Sequence, residues 1–110
     1  MHFNKIALAL AFSPTCKALL SEALRIKNLY QSSFLLIHIG IKTEANEKYL
    51  NDLLNEIGVV LNEEDVIWKE GKPAREILSI CKQQQVDLLI AGALKRENFF
   101  VHYVGSVARK

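Results

Sequence analysis

The sequence predicts an α/β domain: an open parallel sheet with helices on both faces. Two observations predict it. Near-continuous apolar runs of strand length recur at Ile6–Phe12, Phe34–Ile39 and Val86–Ala91, and the stretches between them carry apolar residues at helical spacing. A strand that is apolar on both faces needs cover on both sides, and helices alternating with such strands supply it through right-handed crossovers.

The elements follow in order. Ile6–Phe12 is the first strand. Ser13 can cap the next helix and Pro14 suits its first turn. Leu19, Leu20, Ala23, Leu24, Ile26 and Tyr30 then mark one helical face. Phe34–Ile39 is the second strand. Thr43 and Glu44 open a helix with Leu50, Leu53, Leu54 and Ile57 on one side. Val66–Lys69 is a shorter, partly polar strand that suits a position near an edge. Gly71-Lys72-Pro73 turns the chain into a third helix carrying Ala74, Ile77, Leu78 and Cys81. Val86–Ala91 is the fourth strand, apolar except for Asp87. No linker, repeat or low-complexity tract interrupts the pattern, so residues 1–110 read as one domain.

Composition narrows the function. Half of the 110 residues are apolar, and 14 basic against 12 acidic residues leave a charge of +2. That balance gives no field for nucleic acid, which a stronger basic excess or stripe would supply. Only the tail is biased: Lys95, Arg96, Arg109 and Lys110 stand against Glu97. Cys16 and Cys81 form no C-x-x-C pair and fall at apolar helical positions, so both read as buried free thiols in a reducing compartment. The apolar run after Lys5 lacks a cleavage site and leads straight into a helix start, so it reads as a strand and not as a signal peptide. No run reaches the roughly 18 apolar residues of a membrane span. The expected setting is cytoplasmic, away from membranes.

The segment from Asp87 to Ala108 carries the clearest chemical signal. Asp87-Leu-Leu-Ile-Ala-Gly92 is a buried strand ending in glycine. A loop of about a dozen residues follows, holding the basic pair Lys95-Arg96. Gly105-Ser106-Val107-Ala108 then opens a helix. Amides around such glycines and at a helix N-terminus form a cradle for phosphate or another anion. In a parallel sheet the ligand lies beyond the carboxyl ends of the strands, which directs attention to the ends at Phe12, Ile39-Gly40, Gly71 and Gly92. Each feature also has a structural reading. Gly92 can be a simple turn, Lys95-Arg96 a solvated pair, His38 a hydrogen-bonded core or rim histidine, and Phe99 to Tyr103 the packing of a loop or lid. Catalytic signatures are missing: there is no G-x-S-x-G, H-E-x-x-H or Walker-type loop.

Taken together these residues resemble the universal stress protein family. Ile6 to Pro14 is similar to the family's opening strand and turn. Leu36-Ile-His38-Ile39 resembles its second strand, and Glu70-Gly71-Lys72-Pro73-Ala74-Arg75-Glu76-Ile77-Leu78 its Gly-x-Pro-Ala-x-x-Ile segment. Asp87 to Gly92 and Gly105-Ser106-Val107-Ala108 resemble its closing signature. The resemblance implies a Rossmann-like sheet of the adenine nucleotide alpha hydrolase type, in order 3-2-1-4 with the family's fifth strand missing. It also implies a non-enzymatic stress-response module, often dimeric. By resemblance Ile39 lies near a base, Ala91 and Gly92 contribute backbone, Lys95 and Arg96 supply charge, and Gly105, Ser106 and Val107 cradle phosphate. The implied ligand is ATP or another adenine nucleotide.

Two departures weaken that pocket. Lys95 stands where the family's ATP-binding branch has a second glycine, and Ala11 where it has an aspartate; Ala9 replaces a nearby proline. A lost carboxylate contact removes roughly 1.5–3 kcal/mol. The expectation is therefore a binding and regulatory module with a degenerate nucleotide or anion pocket. A pure interaction or dimerisation domain is the alternative, and a slow ATPase the second. The sequence stops within the first turn of the family's last helix, so it reads as C-terminally incomplete. The fourth strand is then expected to be an unprotected edge that pairs with a second copy or a neighbouring domain.

Overall fold

The computed structural model describes residues 3–92 in full and the backbone of 99–103. Its strands are β1 (Lys5–Ala9), β2 (Ser33–Ile39), β3 (Val66–Lys69), β4 (Leu88–Gly92) and β5 (Phe99–Tyr103); its helices are α1 (Cys16–Tyr30), α2 (Glu44–Ile57) and α3 (Pro73–Gln83). One sheet runs in the order β3-β2-β1-β4-β5. β1 to β4 are parallel, as the apolar runs predict.

Local chemistry sets the element ends. The Thr43 side chain accepts a hydrogen bond from the Asn46 amide at 3.1 Å, and Glu44 and Glu47 place negative charge in the first turn of α2. Gly58 closes that helix at φ 83°, in the left-handed region that glycine adopts freely. Pro73 stands in the first turn of α3. α1 begins at Cys16, later than the Ser13-Pro14 signal suggests. The Ser13 amide donates to Ala11 O at 2.9 Å and the Cys16 amide to Ser13 O at 3.1 Å, so successive tight turns occupy that stretch.

Strand alternation divides the core into two layers. Ile6, Leu8, Leu10, Phe34, Leu36, Leu88 and Ile90 pack with α1 and α2. Ala7, Ala9, Leu35, Ile37 and Leu89 pack with Ile80 and Cys81 of α3 on the other face. α1 and α2 therefore share one side of the sheet and α3 takes the other. The crossover direction reverses between β1 and β4, which is the switch point of the sheet.

Asp87 ties the amino edge together. It is buried, and its Oδ2 accepts the amides of Asn4 at 2.7 Å and Lys5 at 3.1 Å, while its own amide donates to Lys5 O at 2.9 Å. The lone polar residue of the fourth strand is thus a clamp on the start of β1.

One expectation is corrected. β4 is not an open edge, because β5 pairs with it antiparallel, from Gly92 opposite Phe99 to Leu88 opposite Tyr103. The segment from Gly92 to Gly105 is consequently no uninterrupted loop. Phe99-Phe100-Val101-His102-Tyr103 is aromatic and β-branched, a composition that favours strands, and the edge of β4 offers it a template.

Candidate functional site

The carboxyl edge of the sheet gathers the ends of β1, β2, β3 and β4. At the switch point Ala9 pairs with Ala91, and on its other side with Ile37. Ala11 is exposed just beyond β1, Ala91 is half-buried and Gly92 is exposed. Three alanines and a glycine therefore rim the crevice, and no long side chain from them fills it. Gly92 is close to α1 as well: a β-carbon there would lie 3.1 Å from Leu19 Cδ2. Glycine lets β4 end against the helix without pushing it away.

Ile39 is the half-buried last residue of β2 and pairs with Lys69. Ile39 and Ala91 pack against the core layer of α3, together with Ile67 and Ile77. The structure thus brings Ile39, Ala91 and Gly92 to one edge, as the sequence predicts. Lys95, Arg96, Gly105, Ser106 and Val107 lie outside the described residues. The last described residue, Tyr103, pairs with Leu88, at the opposite end of β4 from Gly92.

An aromatic cluster buttresses this edge from the α1 and α2 side. Phe12 stacks on the His38 imidazole at 4.1 Å and 13°, and Trp68 meets His38 edge-on at 5.2 Å. His38 Nδ1 donates to the Leu10 carbonyl at 2.8 Å, so its hydrogen is on Nδ1. His38 is buried and held, which matches a structural histidine. Tyr49 of α2 touches Phe12 at 4.6 Å, and its hydroxyl meets Cys16 Sγ at 3.4 Å. That hydrogen bond, with desolvation second, raises the Tyr49 phenol above its ordinary value. Phe12, anchored inward, leaves its neighbour Ala11 on the outside of the turn. This anchoring was not foreseen, although Phe12 has the same parity as Leu8 and Leu10, which face that layer.

Cys81 lies on the buried face of α3, and desolvation pushes its thiol to about 11. Among the described residues no three His, Cys, Asp or Glu side chains gather as a metal-ligand set, and no helix is long and apolar enough to cross a membrane.

No protein-family model matches the chain, and neither does any curated protein. Solved structures do. A universal stress protein in complex with cAMP aligns over 100% of this chain and 85% of its own, with a TM-score of 0.65 and 12% identity. A universal stress protein from Archaeoglobus fulgidus aligns over 97% of this chain and 37% of its own, at a TM-score of 0.63 and 15% identity. This chain has the universal stress protein fold. The universal stress protein UspA from Lactobacillus plantarum is also similar, with a TM-score of 0.57 and 18% identity over 84% of this chain and 79% of its own. Identities this low carry the universal stress protein likeness at the level of fold, and the residues at the crevice carry the rest of the argument.

Proposed function

We propose that this chain is a non-enzymatic, cytoplasmic binding module of the stress response that takes an adenine nucleotide at the β1/β4 switch point. One observation carries the reading: the carboxyl ends of β1 and β4, where the sheet reverses direction, carry only small residues, Ala9, Ala11, Ala91 and Gly92. The cAMP complex of a protein with the same fold adds support. Ile39 and Ala91 offer apolar surface to a base. Lys95 and Arg96, by the resemblance, would bring positive charge to phosphates; Gly105, Ser106 and Val107 follow the Tyr103 end of β5, opposite Leu88, so no amide of theirs is assigned to this edge.

The pocket lacks a carboxylate at Ala11, so its grip on ribose or base is weak. None of the four rim residues can act as base or nucleophile, which favours binding over turnover. Association with a second copy or a neighbouring domain belongs to the same proposal. Because β5 covers β4, such a contact needs a surface other than the β4 edge.

A calorimetric titration with ATP, ADP, AMP and cyclic AMP tests the reading. Saturable binding of at least one nucleotide supports it. Flat titrations across all four favour an interaction module without a small ligand, and molar mass by light scattering then becomes the relevant measurement.

A further inference from the structure

A second cavity lies at the β3 edge of the sheet, on the α1/α2 side, between α2 and β3. Its volume is about 140 Å³, it is partly open to solvent, and Leu50, Leu54, Leu61, Val66 and Trp68 give the apolar part of a mixed lining. Lys42, Glu47, Asn51 and Glu63 stand among its remaining lining residues. β2 stands between β3 and the β1/β4 switch point, and none of the lining residues belongs to β1 or β4, so the cavity is distinct from it. The proposal below is independent of nucleotide binding.

Size and charge limit what fits. An apolar cavity of about 150 Å³ holds a single benzene ring. Trp68 is among the lining residues, and an indole attracts cations at its π face. Of the three charged lining residues two are acidic. Lys42 already lies 3.9 Å from Glu47, whereas Glu63 makes no ion pair among the described residues. The lining therefore combines an indole, a carboxylate without an ion pair among the described residues, and the Asn51 amide. We infer that the α2/β3 cavity is a binding site for a small organic cation, a single apolar ring bearing a protonated amine.

Trp68 is the chain's only tryptophan, so its fluorescence reads occupancy directly. The probes are benzylammonium, benzoate with the same ring and opposite charge, and methylammonium with the charge but no ring. Trp68 emission should change saturably with benzylammonium and stay unchanged with the other two. In Glu63→Gln, an exposed position, the midpoint should rise about tenfold. Asn51→Phe, on the exposed side of α2, should fill the mouth and abolish the response, with circular dichroism confirming the fold. Adding ATP should not displace benzylammonium. An absent or non-saturating response, an equal response to benzoate, an unchanged midpoint in Glu63→Gln, or displacement by ATP would each overturn the proposal.

Discussion

Gly40 leaves the space that the His38 ring fills: a β-carbon on Gly40 would lie 2.8 Å from His38 Nε2 and 3.2 Å from Cδ2. The imidazole cannot swing away freely, because Nδ1 is bonded to Leu10 and the ring is stacked on Phe12. Gly40→Ala should therefore destabilise the protein by about 1–3 kcal/mol, as overpacking does. Trp68, in edge contact with the same ring, should report the shift in its emission. Adding His38→Ala removes the obstacle, so the double variant should lose less than the sum of the single ones. Strict additivity in urea unfolding would show that the two residues do not compete for space.

Asp87 works at the amino edge, far from the switch point. Asp87→Ala takes the acceptor from the part-buried amides of Asn4 and Lys5 and should cost about 1–2 kcal/mol. Ligand affinity at the carboxyl edge should remain that of the parent. A large fall in nucleotide affinity with little loss of stability would assign Asp87 a role in binding instead.

Cys81 should be chemically silent. Burial raises its thiol to about 11 from an ordinary value near 9, so at mildly alkaline pH the native protein holds it protonated. A thiol reagent should modify Cys81 only after unfolding. The linked stability effect has a definite sign. Below pH about 9 both states keep the proton; between about 9 and 11 the unfolded chain loses it while the native one retains it. This contribution to stability therefore falls as pH rises through that window, and Cys81→Ala should remove that part of the slope.

The β5 pairing makes a prediction about solution behaviour. Val101 stands opposite Ile90, in the middle of the ladder. Val101→Pro cannot serve as a normal ladder residue, so it should detach β5 and expose the edge of β4. Light scattering should then show a larger molar mass than the parent has at the same concentration. An unchanged molar mass and unchanged stability would mean that β5 contributes little to covering β4.

Much of the fold was legible because burial on both faces leaves a simple mark. Ile6–Phe12, Phe34–Ile39 and Val86–Ala91 are apolar at every or nearly every position, and each became a central strand. The face assignment was equally readable from parity, with Ala7 and Ala9 towards α3 and Ile6, Leu8 and Leu10 towards α1 and α2. β5 was missed because its residues were weighed as part of a glycine-bounded loop. Its composition favoured a strand, but its partner edge becomes available only in three dimensions. The clamp role of Asp87 was likewise invisible, since Asn4 and Lys5 are some eighty positions away and meet it through sheet register. Ile39, Ala91 and Gly92 could be placed at the carboxyl edge because they stand at strand ends. The anchoring of Phe12 was not legible, because a stacked pair such as Phe12 and His38 joins two strands and leaves no local pattern.

Ala11 offers a gain-of-function test. A carboxylate just beyond β1 would face the proposed ligand, so Ala11→Asp should tighten adenine nucleotide binding by about tenfold at little cost in stability, since Ala11 is exposed. Calorimetry on both proteins measures the difference. Equal affinities would place the ligand elsewhere on the carboxyl edge.

Amide chemical shifts mapped during a nucleotide titration test the central claim most directly. The account predicts saturable shifts at Ala11, Ile39, Ala91 and Gly92, with Asn4, Lys5 and Asp87 at the amino edge unmoved. Shifts confined to the amino edge, or none at saturating nucleotide, would contradict it.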